Sequence, residues 1–405
     1  MLLFLITLFL LYTTLKILLE LVEIKFIKNE MKNEPVILEK EAFLEAGNIA
    51  VVNKKFDIIS LIFEFFITVC WLSFGLKFLY NAFVTDGLIM QNLLFVMSYI
   101  VISAVLSLPF DIYAKFIKDK KFGFSTIDAK TFIKDLLKTF ALTIVFGSLF
   151  VWLLLLCIDF LGEFWWFWAA VLSFVIILLI NFIYPTIIAP LFNKMKKLEN
   201  DDLSASIEDL MRKCGFKSSG IFSIDASKRD NRLNAYFGGL GATKRVVLFD
   251  TLIQKLTKDE ILAVLGHELG HFKHKDIVKN IIFSAILIFV MFFIFGNLPN
   301  SVFEAVGVAK SGGSVIVLLM ILSTFLSFII TPLQSFLSRA NEFAADKFGA
   351  DVKDNKDMIS ALKKLGEQNR AFPKSHKVYS AFYHSHPTLY ERICELEKDG
   401  KNDSI

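Results

Sequence analysis

The chain has 405 residues, of which 55% are hydrophobic and 21% charged, with a formal net charge of +4 and a mean hydropathy of +0.57. It is too apolar for a soluble enzyme and too charged for a bundle confined to lipid, which leaves a polytopic membrane protein with a substantial water-exposed portion. No basic tract is interleaved with aromatic residues, so nucleic acid is not an expected partner. The four cysteines, Cys70, Cys157, Cys214 and Cys394, form no close pair, so neither a disulfide framework nor a cysteine metal site is expected.

Met1 to about Ile24 is long enough to cross a bilayer, and its apolar start has no basic segment and no small-residue cleavage site, so it reads as a retained first span. Lys16, Glu20 and Glu23 place its far end against water or protein. A mixed-charge loop, helical in part, is expected over 25–55. Spans two to five follow at about Phe56–Leu79, Leu88–Phe110, Thr139–Leu161 and Trp165–Ile188. A basic segment over 111–138 separates the third from the fourth. Trp165-Trp166-Phe167-Trp168 reads as an interfacial anchor, and Pro185 and Pro190 should end the fifth span. Glu64 lies inside span two, where a carboxylate must either line a hydrated cavity or hydrogen-bond a neighbouring helix as the neutral acid.

Residues 193–279 form the first long soluble stretch. It should contain an amphipathic helix at Leu198–Lys213, strands at Gly220–Asp225 and Arg245–Phe249 around a turn-rich Arg229–Ala242, and a helix opened by the capping box Thr257-Lys-Asp-Glu260. Spans six and seven are expected at about Ile281–Phe295 and Ser314–Leu337, followed by a polar, helical tail from Ser338. This divides the chain into a five-span membrane domain, 1–192, and a domain of 193–405 holding the last two spans. The loops after spans one and three are lysine-rich, whereas those after spans two and four lack Lys and Arg. The positive-inside rule then puts the soluble stretch and the tail in the cytosol and the N-terminus outside.

The helix opened at Thr257 carries His267-Glu-Leu-Gly-His271. Four residues make about one helical turn, so both imidazoles can reach one metal ion, with Glu268 beside a water on that ion. A gluzincin needs one more ligand from a downstream helix, and Glu342 in Ser338-Arg-Ala-Asn-Glu-Phe-Ala-Ala-Asp346 is the candidate. Asp346, one turn on, would orient a ligand histidine. One Zn2+ with an open fourth position makes a nucleophile of its water near neutral pH, and Glu268 is the general base. Tyr383–Arg392, with His384 and His386, either supplies an oxyanion donor or is a surface turn before the next helix. The motif is followed at once by Lys273-His-Lys-Asp276, which keeps it out of the bilayer core and excludes an intramembrane site-two protease.

On these residues the chain resembles the type 1 CAAX prenyl endopeptidases, seven-span membrane zinc proteases. The resemblance extends to Lys121-Phe-Gly-Phe-Ser-Thr126, Tyr184–Lys194, Ser227–Phe237 and Ser385-His-Pro387 through Glu391-Arg392. It implies that His267, His271 and Glu342 bind zinc and that Glu268 is the base. It further implies that Asn234 lies beside the zinc, that His386 helps hold the oxyanion, and that Arg392 ties the tail to the site. The implied fold is mostly α: a seven-helix membrane bundle enclosing a hydrated chamber, which would explain Glu64, capped by a cytosolic gluzincin-like domain with a small β element.

The expected function is therefore a membrane zinc endopeptidase acting on prenylated tails or on membrane-associated or unfolded peptides, with the bilayer as its other partner and the oligomeric state left open. A heat-shock-type membrane zinc protease with fewer spans is the alternative, and a transporter or scaffold with a closed structural zinc site is a third reading. The Lys-, Ile- and Phe-rich composition suggests an AT-rich bacterial genome, and so the bacterial inner membrane, where prenylated CAAX substrates are generally absent; in a eukaryotic host the endoplasmic reticulum would take its place. The last residues, Asn402-Asp-Ser-Ile405, are not a prenylation signal.

Overall fold

The computed structural model describes residues 1–238 and 244–402; Ala242 and the end of the Asn402–Ile405 stretch lie outside them. Among the described residues, seven helices are long and apolar enough to span a membrane: α1 (Leu2–Glu30), α2 (Lys40–Phe83), α3 (Ile89–Lys121), α4 (Ala129–Phe160), α5 (Gly162–Phe192), α8 (Asp276–Gly296) and α9 (Gly312–Val352). Between α5 and α8 lie β1 (Met195–Lys197), α6 (Asp201–Lys213), β2 (Ile221–Ile224), β3 (Ala235–Gly238), β4 (Arg245–Phe249) and α7 (Lys258–Lys273). The tail forms α10 (Asn355–Gln368), α11 (Lys377–Tyr383) and α12 (Leu389–Asn402).

The spans fall where the apolar runs place them, but the helices overrun those runs. The expected loop over 25–55 is helical except between Glu30 and Lys40. The basic segment after span three begins as the last turns of α3. Pro185 and Pro190 do not end α5. Residues 184–188 open into a π-turn that starts next to Pro185, and such a wide turn absorbs the missing N–H and the ring of proline. α9 does not stop near Leu337: it continues 15 residues further, so a single rigid helix carries both the seventh span and Ser338–Asp346. It is also the central span. In its most apolar stretch 44% of residues are buried, against 6–17% in the other six, whose outward faces expose large aliphatic and aromatic side chains such as Leu3, Phe78, Phe146 and Ile286.

The bundle core gathers Leu72, Leu76, Phe95, Leu155, Val317 and Leu318. Two of the anchor aromatics contact α8, Trp166 meeting Phe293 edge-on at 5.0 Å and Phe167 meeting Phe289 at 5.4 Å. The soluble stretch has its own core of Ile207, Val246, Leu248, Leu252 and Leu265, each side chain contributing roughly 1.5–3 kcal/mol by leaving water. Its sheet has four strands in the order β1-β2-β4-β3, with β2 and β4 parallel and the two outer pairings antiparallel. β1 and β3 were not expected: each has only three or four residues, too few for an alternation to register. β3 lies in the stretch read as turns and forms one edge of the sheet.

The segment leading into β3 is clamped to the loop between α3 and α4. Thr126 N–H donates to Arg229 O at 3.1 Å and Asn231 N–H to Phe124 O at 2.8 Å. Arg229 makes a two-pronged ion pair with Asp135 at 2.7 and 3.0 Å. Two of the motifs that carried the resemblance, Lys121–Thr126 and Ser227–Phe237, thus bind each other.

Candidate active site

α7 starts as its sequence dictates. Thr257 Oγ1 accepts from Glu260 N–H at 3.3 Å and the Glu260 carboxylate accepts from Thr257 N–H at 2.7 Å, a reciprocal cap of the kind worth about 1 kcal/mol. Glu260 also accepts from Ser360 at 2.6 Å and Lys364 at 2.8 Å, fixing α10 to the same end.

What brings Glu342 to the histidines is the closeness of α7 and α9. A Cβ on Gly270 would stand 2.9 Å from Ala345 Cα, one on Gly266 3.1 Å from Gly349 Cα, and one on Gly349 2.9 Å from the His267 amide nitrogen. The two backbones therefore touch: only glycine fits at 270 and 349, and a Cβ at 266 would have to push the facing helix back. Gly266 and Gly270 flank His267 at helical spacing. That small-residue stripe was present in the sequence but was not read as the reason the ligands can meet.

One ligand atom each from His267, His271 and Glu342 can be chosen so that all three lie within 4.8 Å of one another; among the described residues no other such group of His, Cys, Asp or Glu occurs. Nε2 of His267 is 3.4 Å from one Glu342 oxygen, and Nε2 of His271 is 3.3 Å from the other. The opposite ring nitrogens are spoken for. His267 Nδ1 meets Asp346 Oδ1 at 2.7 Å and His271 Nδ1 meets Asp276 Oδ2 at 3.0 Å. An ionised carboxylate only accepts, so each Nδ1 carries a proton, and each Nε2, once its ring is neutral, offers a lone pair on the Glu342 side. Glu342 Oε2 is buried without a hydrogen-bond partner. A buried carboxylate converging with two imidazole nitrogens is stable only with a cation among them, a proton on His271 or a metal ion, so this donor set fits a divalent metal.

Arg392 completes the His267 side. Its Nε donates to Asp346 Oδ2 at 2.7 Å and its Nη2 to Oδ1 at 2.5 Å. Sequence reasoning missed Asp276, the matching carboxylate for His271. The chain turns from α7 to α8 through Lys275 in the left-handed conformation (φ 57°), and this tight reversal swings Asp276 back onto His271. Lys279 in turn donates to Asp276 at 2.7 Å.

Beside the ligands is a cavity of about 380 Å³ lined by Asn234, His267, Glu268, His386 and Arg392 among others. Burial raises the Glu268 pKa against the pull of the two histidines, which suits a carboxylate that must take a proton near neutrality. His386 Nε2 is 3.3 Å from Glu342 Oε1 with its side chain 60% exposed, and partial desolvation lowers its pKa against the opposite pull of Glu342. Asn234 sits just before β3, its backbone carbonyl accepting from Phe249 N–H at 3.1 Å. His274, the other histidine near the motif, packs edge-on against Phe348 and is not in the ligand group. The His271 pKa is lowered by burial but raised more by its hydrogen bonds to Glu342 and Asp276, to about 9.

A helical membrane bundle joined to an HExxH helix, with a downstream glutamate completing three metal-binding donors, defines a membrane-embedded metalloprotease. The chain belongs to Peptidase family M48, whose family model matches residues 197–399, and a second model, for the CAAX prenyl protease N-terminal region with five membrane helices, matches residues 27–194. It is similar to CAAX prenyl protease 1 of Saccharomyces cerevisiae, 32% identical over 91% of this chain and 89% of that protein. It is also similar to a CAAX prenyl protease 1 homolog of Homo sapiens, 34% identical over 78% of this chain and 76% of that protein. The crystal structure of S. mikatae Ste24p has the same fold, with a TM-score of 0.90 and 30% identity over 97% of this chain and 98% of that one.

These matches set aside the heat-shock-type alternative with fewer spans. The relatives are eukaryotic, so the expectation of a bacterial origin finds no support in them; an AT-rich coding sequence enriches Lys, Ile and Phe in any organism.

Proposed function

We propose that this membrane metalloprotease uses one Zn2+ held by His267, His271 and Glu342 to cleave the C-terminal tails of prenylated CAAX-type proteins. The observation that carries the metal assignment is the convergence of His267 Nε2, His271 Nε2 and the Glu342 carboxylate, whose Oε2 is buried without a hydrogen-bond partner 3.4 Å from His267 Nε2. The substrate class rests on the names of the relatives. Zinc, when bound, supplies a Lewis acid that activates water and polarises the scissile carbonyl. Glu268, with its raised pKa, takes the proton of the attacking water and passes it to the leaving amine. His386, across the cavity, donates to the oxygen that gains charge, and Asn234 holds the substrate backbone at the same wall. Asp346 and Asp276 keep the ligand tautomers, and Arg392 holds Asp346 in place.

The division into a membrane domain, 1–192, and a protease domain, 193–405, is part of the same proposal. So is a topology with the N-terminus outside and the active site reached from the cytosol, supported by lysine placement.

The decisive experiment is the Glu268→Gln variant, purified with its metal and assayed on a fluorogenic CAAX peptide with and without its prenyl group. The expected result is zinc bound at about one per chain, no cleavage by the variant, and cleavage of the prenylated peptide by the unmodified enzyme. Cleavage by Glu268→Gln at the unmodified rate would overturn the assignment of the base. Equal cleavage of both peptides would overturn the substrate class.

A further inference from the structure

A second buried charge cluster lies away from the metal donors, where the membrane bundle meets the tail. Lys54 on α2 is its hub. Its Nζ is 3.3 Å from Glu20 on α1, 2.9 Å from Asp57 one turn along, and 2.5 Å from the Tyr379 hydroxyl on α11. The Tyr379 hydroxyl reaches Glu20 at 3.3 Å, and the Lys54 ammonium also sits 4.8 Å from the Tyr379 ring centre. One turn beyond Glu20, Glu23 accepts from the His376 amide at 2.9 Å, where α11 begins. Glu20 and Glu23 are each 3% exposed. Carboxylates so buried in a membrane protein are costly and call for a function.

α11 is held from a third side as well. Arg339 donates to the carbonyls of Ser380 and His384 at 2.9 and 3.0 Å. Arg339 is three residues before the metal-ligand candidate Glu342 on the same helix, and His384 is two residues before His386. The short helix is thus fastened to α1, to α2 and to the ligand-bearing part of α9, and its C-terminal end delivers His386 to the cavity.

We infer that Lys54 is a positioning residue for the hydrolytic step: by tying Tyr379 to Glu20 and Asp57 it fixes α11, and through it His386, relative to the metal donors. The first two spans are then part of the active site's support rather than a membrane anchor alone. The inference rests on the proposed role of His386, and its test separates the two.

The test is a double-substitution cycle in the full-length enzyme, with kcat, KM and zinc content measured for Lys54→Met, His386→Ala and the pair. Lys54→Met should lower kcat by about tenfold, as a small displacement of a catalytic group does, with KM changed by less than about twofold and zinc retained. In the His386→Ala background the same substitution should change kcat by less than about twofold, because the group it positions is gone. Lys54→Arg should recover most of the rate.

Equal factors in the two backgrounds would overturn the coupling while leaving His386 catalytic. A fully active His386→Ala would overturn the reading of His386, and with it this route. Should Lys54→Met fail to fold, Tyr379→Phe removes only the hydroxyl that Lys54 holds and enters the same cycle with the same expectations.

Discussion

The two arms that orient the ligand histidines do the same job with different materials. His267 is held by Asp346, 79 residues away on α9, whose side chain is 2% exposed and grips Arg392 from α12. His271 is held by Asp276, five residues away across one tight turn, whose partner Lys279 has a side chain 56% exposed. The first arm is long-range and dry and knots three helices together. The second is local, and its equally buried carboxylate is backed only by an exposed lysine. The same contact therefore carries fold stability on one side of the metal donors and mainly ligand orientation on the other.

Removing what the arms share should have the largest effect. Glu342→Ala leaves two histidines with no third ligand, and zinc content should fall to that of a chelator-treated control, with proteolysis lost. Stoichiometric zinc in that variant would contradict the ligand set.

Asp346→Asn comes next. Losing the anionic acceptor behind a ligand histidine for a neutral amide weakens metal binding by roughly 10- to 100-fold, and here the upper end is expected. The same change strands the buried Arg392 at a cost of about 3–5 kcal/mol, so the melting temperature of the metal-free protein should drop as well. Asp276→Asn should weaken zinc near the lower end of that range, about tenfold, with melting little changed. Chelator competition and thermal melting of the two variants side by side would show whether the arms differ as described. Equal melting losses would erase the contrast.

Proton competition sharpens the comparison on the local side. His271 holds its proton up to a pKa of about 9 in the metal-free protein, so at neutral pH zinc must displace a proton there. Apparent zinc affinity should rise about tenfold per pH unit from 7 toward 9 and then level off. In Asp276→Asn, where one of the bonds favouring the charged ring is gone, the levelling should come at lower pH. A pH-independent affinity between 7 and 9 would refute the protonated ring. The smallest effect belongs to Lys279→Met: an ion pair whose lysine is exposed is worth about 0–1 kcal/mol, so zinc affinity should stay within about fivefold.

Much of the site was legible because it is written at helical spacing. His267, Glu268 and His271 share one turn, and Glu342 and Asp346 share another, so each pair could be placed on a face before any fold was known. The capping box at Thr257 formed as written. Asp276 was visible only as a charge that kept the motif out of lipid. Its role depends on the direction of the turn at Lys275, and a positive φ at a lysine leaves no local signature in the sequence. The extent of α9 was misjudged for a related reason: a fall in hydropathy marks where a helix leaves the membrane, not where it ends.

By itself, the sequence determined that seven apolar runs cross a bilayer and that one helix offers two imidazoles and a carboxylate on the face of a metal site, since both follow from residue type and a fixed periodicity. Only the tertiary structure decided which distant groups complete that site. Gly266, Gly270 and Gly349 let two helices approach to backbone contact, and that contact, with the chain reversals at Lys275 and before α12, set Glu342, Asp276, Asp346 and Arg392 within hydrogen-bonding reach. Periodicity is a property of neighbours along the chain, whereas the approach of two helices depends on every side chain lying between them.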